Sequence, residues 1–558
     1  MDPTSHRSPS PVFTLASDLV DRIVQTAPGT ASLYGVGGTL AGWDDLTPEG
    51  TATLGSLWRD TLRELDAAPV GDRWDALAAD VLRDACELEL GRLESGDHLF
   101  DLNILASGLQ IPGLVVESSA PRDGGEVDAL VARLHGLEGY LAGYRERLSE
   151  GLATGRVVAR RQVLEGVEQA RQHGSHGSAF AVAADLGTTV APERSEDLAR
   201  GVARAHRAFG ELADWLSSTY LPQAPERDAV GAERYAREAA RHLGMVVDPL
   251  ETSAWGWEEV RAIEGRMRAL VAELGHDTVS GAVEGLRADP TWCAPTPDAF
   301  LERMRALQSD AVARLHGEHF DVPGPLRSID VLLAPPGGPL GAYYRTPSED
   351  GTRPGAVCYR LEGDRDIPWF HEVSTAYHEG FPGHHLQLGT GILLADRLSR
   401  HHRLFAHNTG HAEGWALYAE RLMLELGFLD HPALELGYRI NELARAYRVV
   451  VDIGLHLELD IPEDAPFRPG ERWTFDLAVE AMRDRAMLAP RTAHDNVVRY
   501  LGWPGQAIAY KVGERVIREA RDVWMARPGA TLRDFHSTLL EQGSMGLGRL
   551  RARMVTPG

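Results

Sequence analysis

The stretch best equipped for chemistry is residues 371–385, HEVSTAYHEGFPGHH, which packs four histidines and two glutamates into fifteen positions. A His-Glu pair on a helix suits a divalent metal, with imidazole as ligand and carboxylate as proton acceptor for a metal-activated water. The usual spacing is His-Glu-x-x-His, which sets both imidazoles on one face, one turn apart. Here His378-Glu379 is followed by Gly-Phe-Pro-Gly and then His384-His385, so the strict spacing fails and position 382 is proline. In a straight helix, residues six apart are turned by about 120° and separated by about 9 Å along the axis, which is poor for sharing one ion. Gly380, Pro382 and Gly383 are the residues that would break the helix and bring a later histidine back. His384 is the expected second ligand, and His385, in a packing role behind it, is the alternative. The plain reading is a His-rich helix end that satisfies terminal carbonyls; the adjoining His-Glu pair argues against it.

A catalytic zinc site needs a third protein ligand and an open position. Glu413, opening the apolar helical run HAEGWALYAERL, is the expected one. Glu420, two turns on along much the same face, is its rival, and His411 and His407 are others. Two further segments carry groups able to polarise a carbonyl. Arg448, Asp452 and His456 recur every four residues and form one stripe on a helix. Asp452 could fix the tautomer of His456, or the stripe could be a buried ion-pair network. In RYLGWPGQAIAYKVGE, Tyr510 is the expected oxyanion donor, beside Lys511, the only lysine in the chain. The alternative there is a helix packing through Tyr510 with Lys511 exposed. The expected metal ligands are therefore His378, His384 and Glu413, and the expected catalytic groups are Glu379, Tyr510 and His456. Zn2+ is the expected cofactor, although His and Glu suit several divalent ions.

These side chains must be positioned by helices. Residues 14–27 place Leu15, Leu19, Val20, Ile23 and Val24 on one face, and 196–220 repeat the pattern with Leu198, Val202, Phe209, Leu212 and Leu216. Thr296 and Pro297 form a helix start signal ahead of Phe300, Met304 and Leu307. Breaks are expected at 111–125 and 173–178, and a loop at 460–471. After about residue 320 the texture changes to Pro and Gly with two β-like runs, Ile329–Leu333 and Ala356–Leu361; helical patterning resumes near 370. The expectation is a mainly α protein with one small sheet beside the active-site helix, arranged as a helical region (1–320) and a catalytic region (321–558).

The chain has 558 residues and a formal net charge of −24, which argues against nucleic acid or an anionic membrane as partner. Neither an 18-residue apolar run nor a secretory leader is evident. Cys86, Cys293 and Cys358 are too scattered for a disulfide framework, so a reducing cytoplasm is the expected compartment. Composition is silent on oligomeric state.

The segments YHEGFPGHHLQ (377–387), EGWALYAE (413–420), VVDIGLH (450–456) and PGQAIAYKVGE (504–514), with GAYYRTP (341–347), resemble the domain of unknown function 885 family, placed among the gluzincin-like metallopeptidases. That resemblance implies a zinc peptidase-like fold, with His378, His384 and Glu413 holding zinc and Glu379 as general base. The expected activity is hydrolysis of peptide or other amide bonds, with 356–361 aligning an extended substrate along a sheet edge. A hydrolase of one small amide-bearing metabolite is the second reading. A helical binding protein with a vestigial metal site is the third. A di-iron bundle would need paired Glu-x-x-His segments, which 371–456 lacks.

Overall fold

The computed structural model describes residues 10–38, 40–118, 121–334, 341–349, 353–361, 363 and 365–555, and the protein is mainly helical. Its contacts divide into two compact units. The first comprises residues up to Asp228 together with Ser399–Ala406; the second comprises Ala229–Leu398 and His407 onward. The change of texture near residue 320 marks the entry to the sheet and lies inside the second unit.

In the first unit, the helix Pro11–Thr26 starts on Ser10, whose Oγ accepts from the Phe13 amide at 3.2 Å, and it buries Leu15, Leu19, Val20 and Ile23. Each such side chain contributes about 1.5–3 kcal/mol when fully buried. The helix Ser195–Trp215 buries Leu198, Phe209 and Leu212 and runs into a wider turn, Leu216–Tyr220. The segment 111–125, expected as a break, instead opens with a helix over Ile111–Ser118. Pro112 lies in its first turn, where no amide donor is needed, and Val115 and Val116 are buried. The break at 173–178 is present between the helices Arg160–His173 and Ala179–Val190.

The second unit holds the helices α1 (Pro249–Glu273), α2 (Pro297–Leu315), α3 (Glu372–Glu379), α4 (His384–Leu393), α5 (Thr409–Glu425), α6 (Pro432–Leu457), α7 (Pro490–Gly502) and α8 (Ala509–Met525). Helix α2 begins as expected: Thr296 Oγ1 accepts from the Ala299 amide at 3.2 Å. Between α2 and α3 lie strands β1 (Asp330–Leu333), β2 (Ala342–Arg345) and β3 (Ala356–Tyr359). Their spatial order is β1-β3-β2, with β1 parallel and β2 antiparallel to β3. A separate pair joins Cys293–Ala294 to Ile367–Pro368. Within the two β-like runs the strands fall where expected, but β2, in GAYYRTP, carries no clear alternation in sequence. All four residues of β3 are buried, as a strand paired on both sides should be. β3 therefore has no free edge, and the expectation that 356–361 lines a substrate is overturned; the edge strands are β1 and β2.

Helices α5 and α8 cross at glycine. A Cβ on Gly414 would lie 2.4 Å from the Gly513 carbonyl carbon, and one on Gly513 would lie 2.0 Å from the Gly410 oxygen. Only backbone fits at that contact, and it fixes the start of α8 against the start of α5. Beside the crossing, Lys511 is fully buried, with Nζ 2.6 Å from Glu514, 2.9 Å from Glu259 and 3.5 Å from Glu442. Arg439 reaches Glu442 at 2.7 Å from the other side. Burial alone would lower the lysine pKa, but Glu514, Glu442 and Glu259 together raise it. The lysine is thus interior rather than exposed, and a compact ammonium with three donors suits three converging carboxylates. Lys511→Met leaves those carboxylates short of a counter-charge, so a loss of about 3–5 kcal/mol in unfolding free energy is expected by urea titration. An unchanged midpoint would mean that the neighbouring arginines suffice.

Candidate metal centre

The His-Glu segment folds as a broken helix. α3 ends at Glu379 and α4 begins at His384, with Gly380–Gly383 between them. Gly383 is required there: a Cβ would meet the His378 carbonyl oxygen at 2.0 Å. Two distant side chains hold the break. Gln308 of α2 donates to the Ala376 carbonyl at 2.7 Å and accepts from the Phe381 amide at 2.6 Å. The Trp415 indole of α5 donates to the Pro382 and Gly383 carbonyls at 3.0 and 3.2 Å. Gln308 thereby satisfies the Phe381 amide and Trp415 the Pro382 carbonyl, while the Ala376 and Gly383 carbonyls also accept from the Gly380 and Gln387 amides. Neither was visible in the sequence, because an isolated Gln and a Trp in an apolar run give no local signal.

The break folds His384 back onto His378, with ring centroids 4.9 Å apart and nearly perpendicular. Asn408 caps α5, its Oδ1 accepting from the His411 amide at 3.0 Å, and Glu413 follows in the first turns. Glu413 Oε2 lies 3.3 Å from His378 Nε2 and 3.6 Å from His384 Nε2. One ligand atom from each of these three residues lies within 4.8 Å of the others, and theirs is the only such group among the described residues. Donors bound to one tetrahedral zinc at about 2.0–2.2 Å stand roughly 3.3–3.6 Å apart. Glu413 Oε2 is also buried without a hydrogen-bond partner despite its two imidazole neighbours. The donors converge on a common point rather than on one another, and the set fits a zinc-type ion.

Glu420, weighed as a rival ligand, lies on the other side of the ring: His378 Nδ1 is 2.8 Å from its Oε1. A carboxylate there orients the imidazole and leaves Nε2 facing Glu413. Burial opposes a charge on His378, but the carboxylates of Glu413 and Glu420 hold its pKa up, at about 10. Glu413 is driven the opposite way: burial raises its pKa, and the two imidazoles pull it well below the ordinary carboxylate range. Glu420→Gln is expected to weaken metal binding by about 10- to 100-fold, read by competition with a fluorescent chelator; no change would remove Glu420 from this role.

His385 points elsewhere. Its Nδ1 is 3.1 Å from the Tyr344 hydroxyl and its Nε2 3.1 Å from the Leu326 carbonyl, so both ring nitrogens are used. His411 accepts from the Met545 amide at 3.2 Å, and His407 is exposed. Glu379, adjoining His378, has its pKa raised by burial, against the pull of His378 and His384, and receives the backbone N–H of Tyr344 from the edge strand β2. Tyr510 stands in the field of Glu413 and under Arg448, whose guanidinium carbon is 4.4 Å from its ring centroid. Burial and then Glu413 raise its pKa, so the phenol keeps its proton.

The structure does not bring His456 into this cluster. It lies eight residues beyond Arg448 on α6, about 12 Å along the axis, and is fully buried, with Nε2 3.1 Å from the Tyr500 carbonyl. Asp452 does not fix its tautomer as expected. Its Oδ2 is taken by the Tyr235 hydroxyl at 2.9 Å and the Gly505 amide at 3.0 Å, and His456 stands 3.6 Å from Oδ1. Burial pushes Asp452 up to about 7 and His456 down to about 4, which favours uncharged forms of both. The stripe is a buried polar connection between helices, fastening the Trp503–Ile508 turn that leads into α8.

A mainly helical body with two histidines and a glutamate meeting at a broken helix defines the class of this protein. The chain belongs to the family described as "Bacterial protein of unknown function (DUF885)", whose profile matches residues 28–554. No curated protein matches it. The fold is shared with a crystal structure from Colwellia psychrerythraea, provisionally designated a lipoprotein, at 21% identity and TM-score 0.83, covering 98% of this chain and 99% of that one. A second solved structure, from Shewanella oneidensis, also provisionally a lipoprotein and of unknown function, aligns at 16% identity and TM-score 0.73, covering 98% and 100%.

Proposed function

We propose that this protein is a zinc-dependent hydrolase of peptide or other amide bonds, of the gluzincin-like metallopeptidase kind. The observation that carries the reading is the convergence of His378 Nε2, His384 Nε2 and Glu413 Oε2, with Glu379 next in sequence to the first of them. Bound there, zinc would supply an acidified water and a Lewis acid for the substrate carbonyl. Glu379 would accept a proton at its carboxylate and return it to the leaving amine; its raised pKa suits a group that must do both. Tyr510, still protonated and beside Glu413, would donate to the developing oxyanion. His456 is left out of this scheme because the Tyr500 carbonyl occupies its Nε2 and the helix carries it away. Strand β2, an edge strand whose Tyr344 amide already touches Glu379, would align an extended substrate in place of β3.

The expected compartment is the cytoplasm, although two structural relatives bear lipoprotein designations; cell fractionation decides between these. No helix among the described residues is long and apolar enough to cross a membrane. The test of function is a screen of peptide libraries and amide-bearing metabolites, with and without a chelator. Chelator-sensitive cleavage of peptides supports the proposal. Cleavage confined to one metabolite favours the narrower hydrolase, and bound metal with no amide cleaved favours a binding protein.

A further inference from the structure

Interior arginines of the second unit are generally matched to carboxylates: Arg439 to Glu442 at 2.7 Å, Arg521 to Glu425 at 2.7 Å and Arg485 to Glu264 at 2.6 Å. Arg448 of α6 and Arg499 of α7 are different. Neither forms an ion pair among the described residues, yet Nε and Nη1 of Arg448 and Nε and Nη2 of Arg499 are buried and meet no protein acceptor. A guanidinium does not shed its charge, so burial without a counter-ion is costly. Both side chains remain partly open to solvent. Both also stand beside Tyr510: Arg448 covers its ring at 4.4 Å, and Arg499 lies within electrostatic reach of the phenol. The carboxylate in the field of Arg448 is Glu413, already committed to the three-donor cluster.

We propose that Arg448 and Arg499 form the recognition point for a carboxylate on the substrate, next to Tyr510 and the metal-binding side chains. This rests on the hydrolase reading for its substrate class and makes it narrower: a peptide presenting either its terminal carboxylate or an acidic side chain close to the scissile bond. On Arg499 the unpaired Nε and Nη2 share one edge of the guanidinium and form the parallel donor pair that matches a carboxylate; Arg448 adds single donors beside it, and the fixed charge selects against neutral amides.

The test reads binding without turnover, in the full chain carrying Glu379→Gln. Three probes are titrated by calorimetry: tetra-alanine with a free terminal carboxylate, tetra-alanine amide, and the amide of Ala-Ala-Asp-Ala. The expected result is about 10- to 100-fold tighter binding of a carboxylate-bearing probe than of tetra-alanine amide. Preference for the first probe identifies the chain terminus, and preference for the third identifies an acidic side chain. Arg499→Gln should collapse that preference, and Arg499→Lys should keep part of it. Equal binding of all three, absence of binding by all three, or a preference untouched by Arg499→Gln overturns the assignment. Should Arg499→Gln fail to fold, the comparison of probes on the chain with native arginines decides by itself. A carboxylate preference in a protein that hydrolyses nothing would leave this inference standing and remove the hydrolase reading.

Discussion

Glu379→Gln is expected to retain one metal per chain and to lose about 100- to 10,000-fold in hydrolytic rate, the range for removing a positioned general base. Glu379 closes α3 immediately after His378, but it is not one of the three donors that converge. The substitution preserves shape, and the amide oxygen can still accept the Tyr344 N–H. What disappears is an ionisable oxygen with a pKa raised by burial and restrained by His378 and His384. Elemental analysis and single-turnover kinetics on a cleaved peptide separate the outcomes. Full activity with metal bound would end the general-base assignment. Loss of metal together with activity would make Glu379 a ligand, and the three-donor scheme would need a fourth member.

The second large effect concerns the ligands themselves. His378→Ala, His384→Ala and Glu413→Ala are each expected to weaken metal binding by more than about 100-fold, beyond the usual cost of changing an outer-sphere partner. His385→Ala is expected to keep stoichiometric metal, because both of its ring nitrogens already serve Tyr344 and Leu326. Metal content after dialysis, with helicity checked by circular dichroism, reads this directly. Equal metal loss in His384→Ala and His385→Ala would undo the geometry of the break. So would metal retained in Glu413→Ala, which would return Glu420 to candidacy.

Much of this arrangement was legible in the residues, and the exceptions share a cause. Periodicity and caps located helices such as Pro11–Thr26 and Pro297–Leu315, because those signals are local. The need for a break after Glu379 followed from helix geometry alone, since Pro382 and the flanking glycines conflict with a straight run. Long-range contacts left no such trace. Gln308 reaches the break from 73 positions away in sequence. Asp452 abandons His456 for Tyr235, 217 positions distant, and His456 turns to a backbone carbonyl. β2 escaped notice because all four of its residues are half-buried, so no alternation marks it. Lys511 is a solitary residue type with Glu514 one turn on in its own helix, but the other two glutamates that explain it, Glu259 and Glu442, come from two separate helices.

The path of the chain between the second and third metal-binding residues carries a further consequence. His384 and Glu413 both belong to the second unit, but Ser399–Ala406, which runs between them, belongs to the first. Within that unit His401 is buried, its ring near Trp58, and Arg400 meets Asp21 at 2.6 Å. The amino-terminal region is therefore no detachable appendage. Deleting it would strand the short helix Arg400–Leu404 between two of the ligands in sequence, and expressing it alone would leave its own core one segment short. Neither unit can be cut from the chain without interrupting the other, because one excursion of eight residues links them.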